Sequence, residues 1–156
     1  MSQVDKSIPN KKTAYFYVLI QAFILGTLIF VNYVSNLRIS NFQYLGDVLK
    51  IIGIFIIIAS AFSIRKSLTA MPLPKQNGAL STRGLYKYVR HPMYTGVITF
   101  SLGIALSSGE IYKYLLVFSL VILFYFKSEY EEKYLAYKYK GYQEYTNHTP
   151  RFIPKF

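Results

Sequence analysis

Residues 14–35 read AYFYVLIQAFILGTLIFVNYVS, and residues 44–64 read YLGDVLKIIGIFIIIASAFSI. Neither run carries a charge in its middle, and both are long enough to cross about 30 Å of hydrocarbon as a helix. Two shorter apolar runs follow at 92–107 and 111–126, separated by Ser108-Gly109-Glu110, which reads as a turn between antiparallel helices. At about 1.5 Å per residue these later runs need flanking residues or local thinning of the bilayer. The chain is 156 residues long, 53% hydrophobic and 16% charged. The class this implies is an all-α polytopic integral membrane protein forming one domain over 1–156. About four transmembrane helices are expected. Residues 1–13 are polar and lack the pattern of a cleavable signal, so the first run is expected to stay in the membrane.

Loop charge sets the expected orientation. Lys6, Lys11 and Lys12 precede the first run. Arg65, Lys66, Lys75, Arg83, Lys87 and Arg90 fill the middle loop without an acid, and Lys127, Lys133, Lys138, Lys140, Arg151 and Lys155 follow the last run. The other side offers only Arg38, Lys50 and Lys113, beside Asp47 and Glu110. This asymmetry predicts both termini in the cytoplasm. The formal charge of +11 follows the membrane flanks and not a nucleic-acid-binding face, so no nucleic-acid partner is expected. There is no cysteine, which excludes disulfides, thiolate metal sites and a cysteine nucleophile. With His91 and His148 as the only histidines, no metal site is expected.

Residues 127–147 read as an amphipathic cytoplasmic helix continuing the last span, with Tyr130, Tyr134 and Tyr137 at helical spacing on one face. The tyrosines also suit a plain interfacial anchor. Two constellations carry possible chemistry. In Tyr86-Lys-Tyr-Val-Arg-His-Pro-Met-Tyr-Thr-Gly96, Pro92 suits the first turn of a helix. Arg90 and His91 then lie where free backbone donors and the positive dipole end attract an anion. Tyr86, Tyr88 and Tyr94 offer ring faces to a cation. A zwitterion with an extra cationic centre would match both features, although Arg90 and Lys87 equally satisfy the topology rule alone. Glu129, Glu131 and Glu132 form the second constellation, either a solvated face paired with Lys127 and Lys133 or acceptors for a ribose or ammonium group.

The ordered set Leu80-x3-Gly84-x-Tyr86-x3-Arg90-His91-Pro92-x-Tyr94-x-Gly96, the Glu131-Glu132 pair and the closing Tyr142-x2-Tyr145…Pro150-Arg-Phe-Ile-Pro154 resembles the isoprenylcysteine carboxyl methyltransferase family. That family belongs to a wider group of membrane methyltransferases that includes phospholipid N-methyltransferases. The resemblance covers about 78–156; the helical pair of 1–66 matches only as generic apolar helices. It implies an enzyme using S-adenosylmethionine as cofactor, in keeping with the lack of a Gly-x-Gly-x-x-Gly after any strand pattern. Carried over by position, Gly78, Ala79, Leu80 and Ser81 would line the cofactor with backbone. Tyr86 and the His91, Pro92, Met93 and Tyr94 run would hold its methionyl and nucleoside parts, and Glu131 would close the pocket. Lys127 would meet the substrate where relatives carry arginine, exchanging a bidentate fork for a point charge. His91 and Glu132 are the expected catalytic groups, needed if the acceptor is an amine or thiol but not if it is a carboxylate.

The expected partners are the lipid bilayer and a lipophilic methyl acceptor that slides in between helices, where Gly96, Ser101, Gly103 and Ser107 permit close approach or a groove. A small four-span transporter is the rival of another class, with only Asp47 and Lys50 near the end of a span as ionisable candidates. A non-catalytic membrane scaffold docking through its tyrosine-rich tail is the third.

Overall fold

In a computed structural model the described residues are 11–31, 42–64 and 80–154. Gly78 and Ala79, and the middle-loop charges Arg65, Lys66 and Lys75, lie outside them. The described chain is helical: α1 Lys11–Phe30, α2 Gln43–Ser63, a 3-10 turn Gly84–Lys87, α3 Pro92–Ser108, α4 Ile111–Lys138 and α5 Tyr142–His148. Among the described residues three helices are long and apolar enough to cross a membrane, namely α1, α2 and α4. With 17 residues, α3 is shorter, about 26 Å at the helical rise.

Large apolar side chains point outward. Phe23 and Phe30 of α1, Ile51, Phe55 and Phe62 of α2, and Leu115 and Phe118 of α4 are all more than 60% exposed. The buried set is smaller: Ala14, Ser60, Ser101, Ala105 and Ser128 are fully buried beside Leu120 and Phe124. A soluble protein could not leave so continuous an apolar surface in water. In lipid, where burying a leucine gains little, helices associate through close packing instead.

The α2–α3 pair shows how. All the buried residues of α2 are small, Gly46, Gly53 and Ser60, spaced every seven residues. They meet Gly96 and Gly103 of antiparallel α3. A Cβ on Gly53 would lie 2.8 Å from the Gly96 carbonyl oxygen and 2.5 Å from the Phe100 nitrogen; on Gly46 it would lie 2.6 Å from the Gly103 oxygen. The two backbones therefore touch at two levels. Of the four small residues expected to allow close approach, Gly96, Gly103 and Ser107 do so against α2. Ser101 sits on the opposite face of α3, fully buried, and its hydroxyl has no partner.

The turn between α3 and α4 forms at the expected place. Gly109 closes α3 in the left-handed region with φ 69°, its N–H donating to the Ala105 carbonyl at 2.8 Å. Near this end Asp47 and Lys50 pair with each other at 2.7 Å, and Ser107 donates to Asp47 at 3.3 Å. Helix α1 lies antiparallel along α4 and in the same direction as α3. Leu28 packs with Val117 and Ala105, Ile24 packs with Leu120 and Phe124, and the Tyr17 and Tyr130 rings meet at 5.8 Å.

The tail differs from expectation. In place of one helix through 147, α4 stops at Lys138; Tyr139 is extended at φ −117°, ψ 112°, and α5 begins after Gly141. The break turns α5 back over the start of α3 and buries Tyr142 to 2% exposure. Tyr145 faces inward too, its hydroxyl donating to the Tyr86 carbonyl at 2.5 Å. Tyr137 alone of the helical-spaced trio is left largely exposed, at 75%.

The glycine contacts can be tested by size. Gly53→Val should lower stability in detergent by about 1–3 kcal/mol, the usual cost of overpacking, read as a reduced thermal midpoint. Gly26→Ala, where an added Cβ meets nothing within 4 Å, should not lower it, since alanine is the better helix former.

Candidate active site

The site assembles where α3 begins, because three distant segments converge there. Pro92 opens α3 at its first turn, as its preset φ and missing donor favour. The backbone donors just ahead of it, expected to face an anionic ligand, are used internally. The Arg90 N–H donates to the Pro150 carbonyl at 2.9 Å, and the His91 N–H donates to the Arg151 carbonyl at 3.0 Å. One turn on, the Thr95 hydroxyl donates to the Phe152 carbonyl at 3.0 Å. Residues 149–154 thus form a strap across the helix end, and carbonyl dipoles take the place of an anion.

The Glu132 carboxylate ties the strap to α4. Its Oε1 accepts from Arg90 Nε at 3.0 Å and from Arg151 Nε at 3.1 Å. Its Oε2 accepts from Arg90 Nη2 at 3.3 Å and Arg151 Nη2 at 2.7 Å. Both arginines therefore grip one acid through paired donors, the geometry a guanidinium favours. Arg90 Nη1 also donates to the Thr146 and Thr149 carbonyls, at 3.0 and 2.7 Å. Burial opposes the charge on Arg151, but the hydrogen bonds and charge of Glu132 outweigh it and raise its pKa, so the clamp stays ionised.

His91 joins this clamp to a second acid. Its Nε2 lies 3.0 Å from Glu132 Oε1, and its Nδ1 lies 3.6 Å from Glu131 Oε2. The Tyr94 hydroxyl donates to the other Glu131 oxygen. Successive residues of a helix point about 100° apart, so Glu131 and Glu132 address the two edges of one imidazole. The Tyr94 ring is sandwiched, 5.3 Å from His91 and 4.3 Å from Phe124, nearly parallel to both. Lys127, one turn before Glu131, places its ammonium 5.1 Å from the Tyr94 ring centre and donates to Gln21 of α1 at 2.7 Å.

His91, Tyr94, Glu131, Glu132 and Lys127 are thus brought together. Pro92 is buried and Met93 half-buried beside them. Tyr86 is half-buried in the 3-10 turn, where burial first and the Glu131 charge second raise its pKa above the usual phenol value. Tyr145 is pushed up to about 12 by burial, with Arg90 opposing and Glu132 adding, so its hydroxyl keeps its proton at neutral pH. Leu80 is half-buried, and the Ser81 hydroxyl donates to the Ser63 carbonyl at the end of α2. Tyr88, expected beside the site, is 56% exposed. Among the described residues no group of three or more acidic or histidine side chains is arranged for a metal ion. A cavity of about 440 Å³ opens on the far side of Glu132, between α4 and α5; Arg90, Glu129 and Tyr142 help line it.

Three participants escaped sequence reasoning: the clamping role of Arg90 and Arg151, and Gln21. Signals existed for each. Seven acids serve eighteen cations in this chain, so an adjacent glutamate pair is a natural target for arginines; that both Arg90 and Arg151 return to it does not show in linear spacing. Gln21 is the one glutamine in the first apolar run.

Glu132→Ala should leave two guanidinium groups facing each other without their acid. A loss of about 3 kcal/mol or more is expected, as for other buried ion pairs broken from one side. Lys133→Ala removes only an exposed partner 3.8 Å from Glu129, and should cost less than about 0.5 kcal/mol. Urea or thermal unfolding in one detergent compares the two.

Residues 41–141 match the phospholipid methyltransferase family. No match is found among curated proteins. The matched stretch takes in α2, α3, α4 and the whole His91–Tyr94–Lys127–Glu131–Glu132 cluster, and leaves out α1 and the strap. It covers more than half of the chain, and around it stand helices built to face lipid. The protein is a membrane methyltransferase: the chain belongs to the phospholipid methyltransferase family.

Proposed function

We propose that the protein moves a methyl group from S-adenosylmethionine to a lipophilic acceptor, and that the donor is held at the cluster of His91, Tyr94 and Glu131. The observation that carries this reading is the Glu131 carboxylate, 14% exposed and set beside a stack of three rings. The donor set suits the cofactor's chemistry. A sulfonium and an ammonium call for a carboxylate and an aromatic face, and Glu131 and the half-buried Tyr86 ring supply them beside the Tyr94 stack. Gly78, Ala79, Leu80 and Ser81 would add backbone contacts, and Pro92 and Met93 the floor beside His91. When bound, S-adenosylmethionine supplies a methyl group already activated for transfer.

The protein's own work is then orientation and exclusion of water. Glu132, with both oxygens occupied by Arg90 and Arg151, aims the His91 ring; the ring itself, facing Glu131 through Nδ1, is the group able to take a proton. A carboxylate acceptor of the isoprenylcysteine type needs no such step, and the Lys127 ammonium favours it. A phospholipid amine or a thiol is the second reading, favoured by the family's description, and would call on His91 as base. Four crossings fit this function, with α3 spanning as the partner of α2 and both termini and the donor site on the cytoplasmic side, as the loop charges favour. In this arrangement 78–156 carries the donor site and 1–66 braces it.

Calorimetric titration of S-adenosylmethionine into the detergent-purified chain should show binding. His91→Ala and Glu131→Gln should each weaken it at least tenfold, about 1.4 kcal/mol. Unaltered affinity in both variants would refute the site, and no binding at all would favour the scaffold. Radiolabelled methyl transfer to lipid extracts then identifies the acceptor: alkali-labile label marks an ester, stable label nitrogen or sulfur.

A further inference from the structure

Helix α1 lies outside the family match, yet it contributes one side chain to the cluster. Gln21 Oε1 accepts a hydrogen bond from Lys127 Nζ at 2.7 Å. The lysine is only 5% exposed. Its ammonium faces the Tyr94 ring at 5.1 Å and the Phe124 ring at 5.9 Å. The ion pairs of the cluster run from Arg90, His91 and Arg151 to the two glutamates and do not include it. Glu131, the acid one turn away, is occupied by Tyr94 and His91.

An ammonium has three donors, and here one goes to a neutral amide. Ring faces attract the charge but accept no strong hydrogen bond. A buried cation on a membrane helix is costly and is a default candidate for function. Access is available from the bilayer: Gln21 is half-buried, and Ala22 and Phe23 beside it are exposed. One turn toward the strap end, the Tyr17–Tyr130 contact closes α1 onto α4. A chain-bearing molecule entering along α1 would meet the ammonium with its head group, one helical turn from Glu131.

We propose that Gln21, contributed by α1 from outside the family match, is a specificity-determining residue: it holds the Lys127 ammonium without neutralising it, where an anionic oxygen of the lipid acceptor, a carboxylate or a phosphate, would meet it. A carboxamide steers the ammonium without neutralising it. Glutamate at the same place would cancel the charge, and an aliphatic side chain would release the lysine to turn toward the head groups. The inference rests on the methyl-transfer reading of the neighbouring cluster, in which Lys127 meets the acceptor, and adds the α1 side chain that preserves its charge preference.

Three amphiphiles with one tail test it: laurate, dodecyl phosphate and dodecyltrimethylammonium, titrated by calorimetry into the full chain in a neutral detergent. The wild type should bind at least one of the two anions tenfold or more tighter than the cation. Preference for laurate assigns a carboxylate and preference for dodecyl phosphate a phosphate; either supports the subsite. Gln21→Glu should erase the preference. Where that variant does not fold, Lys127→Met, which removes the charge at similar volume, should erase it instead. Thr27→Ala, on the same helix with its hydroxyl bonded to the Phe23 carbonyl, should keep it. Equal binding of anions and cation by the wild type, or an undiminished preference in Gln21→Glu, would overturn the proposal. Failure of the wild type to bind S-adenosylmethionine would sink the methyl-transfer reading alone, because the anion preference is measured without the donor.

Discussion

One carboxylate holds together segments that are far apart in the chain. Glu132 is reached by Arg90 and His91, more than forty positions earlier, and by Arg151, nineteen positions later. A buried acid with a single partner would seldom repay its desolvation, but paired donors from two guanidinium groups change that balance. Once Glu132 is fixed, the strap lies across the start of α3, its carbonyls satisfy the donors before Pro92, and the imidazole of His91 is held between two acids. The donor site proposed above is a consequence of that clamp.

The rest of the molecule supplies a frame suited to lipid. Glycines spaced at seven residues let α2 and α3 touch along their length, while phenylalanines and isoleucines turn outward. The frame also sets levels. Because α1 runs antiparallel to α4, Leu28, Ile24, Gln21 and Tyr17 meet successive turns of α4, and the only polar pair in that series falls beside Tyr94. The family match stops short of both α1 and the strap, so two elements outside it finish the cluster that lies within it.

Hydropathy and punctuation made much of this legible. The ends of α2 and α3, the proline start of α3 and the glycine turn at 109 follow from local chemistry, and the structure places them within a residue or two of expectation. The break after Lys138 was not legible. The residues there suit a continuing helix, and the gain that bends the chain is tertiary: burial of Tyr142 and the Tyr145 bond to Tyr86. The same reason hides the clamp. An arginine at 90 reads as a topology marker until an acid 42 positions away is known to meet it. The glycines of α2 were legible in principle, since their sevenfold spacing repeats in α3, but the match between the two series depends on antiparallel register. Gly78 and Ala79 lie outside the described residues, so their proposed part in the pocket rests on the resemblance.

A double-mutant cycle on the clamp, read as S-adenosylmethionine affinity of the full chain, tests the account most directly. Glu132→Gln and Arg151→Gln should each weaken binding at least tenfold, and the double variant should be no weaker than the worse single, because both break one device. Additive losses, or full affinity in either single variant, would contradict the claim that this ion pair builds the site.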